Sequence, residues 1–264
     1  MVALIKWGQY IYWRPNLGGI LRVLRIPELL EITCRALDMR SLQSLRATCK
    51  YFANALASHL SRRLRNGLSR WFGDARMLSA FQVLLQTTET IVGGSFALSL
   101  LCPGDWEPGD LDIIVREAEA DRVRRFLIHQ CQFVYDEERS GGDTGFDGLY
   151  PESDSQYEHF VNPILGGPGI DLVTIYKKPE LEKFYPADFV LTYHSTVVMN
   201  FWNGKHLYCL WPDLTFNGLY VRNLEESTPK LENALQKYWS VPVYSLSPGI
   251  YLTAFICTQG AWIP

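Results

Sequence analysis

The sequence predicts an α/β (α+β) protein in which a small helical N-terminal module packs near a short mixed sheet with flanking helices. Three observations carry that prediction. Apolar residues recur at steps of three and four through residues 29–60. Short apolar runs at 90–92, 111–115 and 170–175 read as buried strands. Between the last two, Val123, Phe126 and Leu127 mark a helix within 117–130. The 264 residues are 47 % hydrophobic and 20 % charged, ample for a packed core and unlike a disordered composition.

Charge divides the chain. Residues 21–76 hold 11 basic and 4 acidic side chains, a local balance of +7, whereas residues 77–264 carry -12. The expected organisation is an N-terminal extension (1–20), a helical module (21–65), a helical connector (66–77), the main α/β domain (78–200) and a C-terminal segment packing on it (201–264). The net charge of -3 argues against a broad basic surface for nucleic acid. None of the six cysteines forms a C-x-x-C pair, so reduced thiols and a cytoplasmic or nuclear location are expected. No window approaches the ~20 apolar residues that cross a bilayer, so no membrane partner is expected.

In the helical module, Pro27 suits a first turn because its missing N–H is unpaired there anyway. Glu28 and Glu31 follow, and Asp38 or Ser41 can cap the next helix. Leu42, Leu45, Cys49, Phe52, Leu56 and Leu60 then share one face. The run Leu24-Arg25-Ile26-Pro27-Glu28-Leu29-Leu30-Glu31-Ile32, with Leu37, Ser41-Leu42, Leu45-Arg46 and Cys49-Lys50-Tyr51-Phe52, resembles an F-box. Ile26, Thr48 and Phe52 stand where that family more often has Leu, Val and Trp. The resemblance covers residues 22–60 and implies docking to the Skp-type adaptor of a cullin-RING ubiquitin ligase, with Pro27, Leu29, Ile32 and Leu45 as candidate contacts. A helical cap packed on its own larger domain is the alternative.

In the main domain, Gly93-Gly94-Ser95 follows the first strand and opens a helix, a turn that allows close approach of phosphate to backbone N–H groups. Asp110 and Asp112 flank Leu111, so period-two geometry sends both carboxylates to one side of a strand. Two such acids repel, and a divalent cation relieves them. Asp171 sits in the later apolar run, and an adjacent strand would bring it beside the other two. Gly93-Gly94-Ser95, Asp110-Leu111-Asp112 and Ile170-Asp171-Leu172 together resemble the DNA polymerase beta-like nucleotidyltransferase superfamily. That resemblance implies metal binding by Asp110, Asp112 and Asp171, phosphate contacts at Gly93, Gly94 and Ser95, and Mg²⁺ or Mn²⁺ with an NTP as substrate.

The remaining elements expected are a strand at 132–135, a loop over 138–154, a return strand at 160–164 and a helical region at 189–201, whose Val and Thr content leaves strand as the alternative. A turn at Asn203-Gly204-Lys205 leads to 206–209, and 251–257 is strand or helix. Lys177, Lys178, His194 and Asn200 are candidates for the pocket, against solvated-turn and core roles. The five histidines show no zinc-type spacing with the cysteines. The functional expectation is metal-dependent transfer of a nucleoside monophosphate from NTP to a protein, small-molecule or RNA hydroxyl, joined to adaptor binding. The alternative is an inactive nucleotidyltransferase fold serving as a ligase substrate receptor.

Overall fold

The computed structural model describes residues 4–7, 10–13, 17–104, 106–140, 155–176, 184–222 and 255–258. The chain begins with an antiparallel pair, β1 (Leu4–Trp7) and β2 (Tyr10–Trp13), and a short helix α1 (Leu17–Val23). Pro27 opens α2 (Pro27–Ala36). Asp38 caps α3 (Met39–Thr48) by accepting the Ser41 N–H at 2.7 Å. Helix α4 (Lys50–Phe72) is 23 residues long, about 35 Å at the α-helical rise. It stops at Gly73, whose φ of +69° suits a residue without Cβ. Asp74 then caps α5 (Ala75–Thr88) by accepting the Met77 N–H. Residues 66–77 are therefore the buried end of α4, a sharp glycine turn and the start of α5.

The expected α+β architecture follows. Its elements are β3 (Ile91–Val92), α6 (Gly94–Leu101), β4 (Leu111–Arg116) and α7 (Glu117–Arg125), which continues into a π turn at Phe126–Gln130. Next come β5 (Val134–Asp136), β6 (Ser155–Val161), β7 (Ile170–Ile175) and α8 (Pro186–Val190). The last are β8 (Asn200–Trp202), β9 (His206–Cys209), α9 (Pro212–Thr215) and β10 (Phe255–Thr258). Eight strands form one mixed sheet in the order β10-β9-β8-β3-β4-β7-β6-β5. Only β4 and β7 run parallel within it; the other described pairs are antiparallel.

Two expected elements differ in place. The return strand β6 begins at Ser155 and ends at Val161, before most of the expected 160–164 run. Asn162 Oδ1 accepts the N–H groups of Ile164 and Leu165 at 3.0 Å each, which commits that stretch to a turn. The 189–201 region is no continuous helix. It divides into the end of α8, a 3-10 turn at Thr196–Val198 and β8. Thr192 Oγ1 donates to Phe189 O and Asn200 Nδ2 to Val197 O, local bonds that compete with helix propagation. Residues 141–154, Lys177, Lys178 and 251–254 lie outside the described residues.

Helix α4 joins the module to the sheet. Its first half packs Phe52 and Leu56 among α2 and α3, and its second half buries Leu64, Leu68, Trp71 and Phe72. Trp71 meets Phe96 edge-on at 5.7 Å, Phe72 meets Phe81 at 4.3 Å, and Phe81 lies 6.4 Å from Trp202 in β8. One apolar cluster runs from Leu30 to Cys209. Arg63 closes this junction: Nη2 donates to Cys34 O at 2.7 Å and Leu37 O at 2.9 Å, and Nη1 to Leu100 O at 3.3 Å. A single cation thus satisfies carbonyls at the C-terminal ends of α2 and α6, where helix dipoles favour positive charge.

Candidate metal centre

Sheet register assembles the site. Parallel pairing sets Asp112 of β4 opposite Asp171 of β7, and antiparallel pairing sets His159 of β6 opposite the same Asp171. Residues opposite one another share a face, so the three side chains form one row across three strands. Tyr157, two residues before His159, projects from that face too. Asp110 lies just before β4, beside Gly169 at the mouth of β7: a Cβ on Gly169 would sit 3.2 Å from Asp110 Oδ1 and 2.5 Å from His159 Nε2. Only glycine leaves room there for the imidazole.

Alternation along β6 fixes this arrangement. Glu158 points to the opposite face, where Arg124 of α7 grips both carboxylate oxygens, Nε at 3.0 Å from Oε1 and Nη2 at 2.7 Å from Oε2. This part-buried fork anchors the strand and leaves Tyr157 and His159 turned toward the carboxylates. The heads of β4 and β7 are held by the end of α4. Trp71 Nε1 donates to Gly169 O at 2.8 Å, Arg70 Nη1 donates to Pro108 O at 3.2 Å, and Leu111 N donates to Gly169 O at 3.1 Å.

Within the row, His159 is fully buried and Asp171 nearly so, and His159 Nδ1 lies 2.5 Å from Asp171 Oδ1. In the neutral tautomer whose Nδ1–H donates to Asp171, Nε2 keeps its lone pair. Tyr157 also hydrogen-bonds Asp171. Burial, then the nearby Asp171, then Asp112 and Asp110, push the Tyr157 hydroxyl far above its usual range, so it stays protonated as a donor.

Asp110, His159 and Asp171 each offer a ligand atom, all within 4.8 Å of one another, and form a group able to coordinate a metal ion. The donors fit a divalent cation. Two carboxylates supply oxygen, and the buried His159 Nε2 has no hydrogen-bond partner among the described residues. Leaving such an acceptor unpaired costs about 1–3 kcal/mol.

Asp112, expected as the second metal ligand, shares the row but stands outside this cluster. Its carboxylate packs on the turn before α6, where a Cβ on Gly94 would overlap Asp112 Oδ2. Gly94 also has a φ of +63°. Gly93 and Gly94 are buried and Ser95 is half-buried; a Cβ on Gly93 would meet Tyr193 Oη at 2.8 Å. The glycine turn thus brings backbone against Asp112 and Tyr193 at the start of α6. His194 is buried away from water, which pushes its pKa down to about 4. Asn200 bonds its own turn.

His159 and Tyr157 were not singled out from sequence. Their signal was period two: polar rings at alternate positions in a run that ends in Phe160 and Val161. Comparing histidine spacing with cysteines alone could not find a ligand whose partners are carboxylates on neighbouring strands. Among known proteins, no family model and no curated protein matches the sequence, and no solved structure matches the fold.

Proposed function

We propose that this chain is a metal-dependent nucleotidyltransferase that moves a nucleoside monophosphate from an NTP to a hydroxyl acceptor. The observation supporting this reading is the row Asp112–Asp171–His159, with Asp110 beside it, lying next to the glycine turn that starts α6. Asp110, His159 and Asp171 would hold the divalent ion, Mg²⁺ or Mn²⁺ in the family resemblance. When bound, such an ion supplies charge neutralisation on phosphate oxygens and acidifies an attacking hydroxyl. Gly93, Gly94 and Ser95 would receive phosphate at the positive end of α6. Asp112, half-exposed against Gly94, orients what enters between the turn and the row. Tyr157 donates to Asp171 and holds its carboxylate in place.

The test is incubation of purified protein with Mg²⁺ or Mn²⁺ and each labelled NTP. Label transfer with pyrophosphate release, lost in Asp110→Asn, supports the reading. No transfer and no triphosphate binding over the panel leaves the rival, an inactive fold used as a protein-recognition surface.

A second reading, adaptor binding, is supported by a different observation. Ile20, Leu21, Val23, Ile26, Leu29 and Ile32 are all exposed along α1, α2 and their connection, Ile32 to 64 %. Contiguous exposed apolar side chains mark an interaction site. Pro27, Leu29 and Ile32 would face the Skp-type adaptor. Leu45 is half-buried against the core cluster and would support that face from beneath. Capture of the intact chain by purified adaptor, lost in Ile32→Asp, checks this.

A further inference from the structure

Mg²⁺ prefers an all-oxygen shell, and imidazole is a ligand of transition ions. The donor group here includes an imidazole that cannot be turned away. The ring is fully buried, its Nδ1 edge is fixed at 2.5 Å from Asp171 Oδ1, and the absent Cβ of Gly169 makes the space in which Nε2 lies. Nε2 and Asp110 Oδ1 converge on that space, 2.5 Å and 3.2 Å from the same point. A carboxylate accepting from Nδ1 fixes the tautomer and strengthens Nε2 as a ligand, an arrangement common around protein-bound transition metals.

We infer that His159 Nε2 and Asp110 form a transition-metal site that takes a divalent ion of the Zn²⁺ or Co²⁺ class in preference to Mg²⁺, with Asp171 holding the imidazole in place. The inference rests on the metal-centre reading of the proposed function and is independent of nucleotide transfer. Asp171 has two tasks: one oxygen orients His159, and the carboxylate as a whole balances the ion's charge. Asp110, partly exposed, is the ligand at the solvent side.

The experiment uses the intact, metal-stripped chain in equilibrium dialysis against Zn²⁺, Co²⁺, Mn²⁺ or Mg²⁺, with bound metal measured by elemental analysis. Near-stoichiometric retention of Zn²⁺ and Co²⁺ that a ~100-fold excess of Mg²⁺ does not displace is expected from the ligand preferences. Bound Co²⁺ should show visible absorption bands characteristic of nitrogen and oxygen ligation. His159→Gln should lower Zn²⁺ affinity by at least ~100-fold, and Asp171→Asn by ~10–100-fold. Gly169→Ala keeps every donor yet fills the space of the imidazole edge, so it should release Zn²⁺ as well. If these variants unfold, the wild-type competition and the Co²⁺ spectrum still decide.

Equal retention of Mg²⁺ and Zn²⁺, or unchanged Zn²⁺ affinity in folded His159→Gln, overturns the inference. If Mg²⁺ sustains label transfer that His159→Gln leaves intact, the inference fails and the transferase reading stands. If Zn²⁺ binds through His159 and no triphosphate binds, the inference stands and the transferase reading fails.

Discussion

Two histidines in this molecule make the same first contact and end in different chemistry. His59 of α4 places Nδ1 3.1 Å from Glu31 Oε2, much as His159 places its own 2.5 Å from Asp171 Oδ1. Both rings are buried, and both Nε2 atoms lack a hydrogen-bond partner among the described residues. What separates them is the charge beyond the first pair. Glu31 also accepts from Arg62 at 2.5 Å and Arg35 at 3.3 Å, so its negative charge is answered by cations. Asp171 is instead bordered by Tyr157, Asp112 and Asp110. An unpaired imidazole nitrogen is not a ligand by itself; the carboxylates gathered beside it make a group able to hold a metal ion.

The widest gap between the two should appear on neutralising the carboxylates. Asp110→Asn and Asp171→Asn should each weaken metal binding by about 10–100-fold, while Glu31→Gln leaves it unchanged. Equal losses in equilibrium dialysis would erase the distinction.

A second measurement concerns the junction between the regions. Arg63→Met removes the donor to three carbonyls and should cost roughly 2–4 kcal/mol in chemical denaturation, since charged donors to buried acceptors are worth more than neutral ones. A loss confined to the helical module's signals, with the sheet unaffected, would contradict a core shared by both.

Trp71→Phe retains most of the ring packing and deletes one bond to Gly169 O, for about 1 kcal/mol. It should also weaken metal binding, because that carbonyl belongs to the residue under the His159 ring. Unchanged metal affinity would place site positioning elsewhere.

Acid titration sharpens the contrast at the helical end. Burial opposes ionisation of Glu31, but hydrogen bonds from His59 and Arg62 outweigh it and bring its pKa down to about 2. Burial likewise holds His59 below its usual range, although Glu31 pulls the other way. The pair is therefore a neutral imidazole beside a carboxylate at neutral pH. Both depressions act in one direction: stability is lost as pH falls, first as His59 becomes easier to protonate in the unfolded chain below about 6.5, then between about 4.5 and 2 for Glu31. Thermal melts across that window should flatten in Glu31→Gln. The smallest effect on folding is expected for Ile32→Asp, within about 0.5 kcal/mol at an exposed position, alongside loss of the proposed adaptor capture.

Sequence spacing revealed the carboxylates but not their company. Asp110 and Asp112 alternate around Leu111, and Asp171 stands alone in an apolar run, so each could be found locally. Their meeting depends on β4 pairing with β7 in one register, a long-range event that composition does not encode. His159 enters only because β6 is the next strand, and the end of β6 is set by the Asn162 turn. In the sequence Arg63 is one basic residue among several in residues 21–76; its burial depends on where α2 and α6 end. The glycine turn was legible, yet its tight packing against Asp112 and Tyr193 was not.

Helix α4 has a practical consequence for anyone dividing this protein. Its opening turns carry the exposed module, and its last turn supplies Trp71, which grips the backbone beneath the His159 ring. A cut in the mid-sixties, the boundary that charge and composition invite, would leave the sheet fragment without one wall of its interior and with a greasy gap where Leu68, Trp71 and Phe72 had been. Such a fragment would aggregate before its chemistry could be assayed, and an inactive preparation of it would say nothing about the whole.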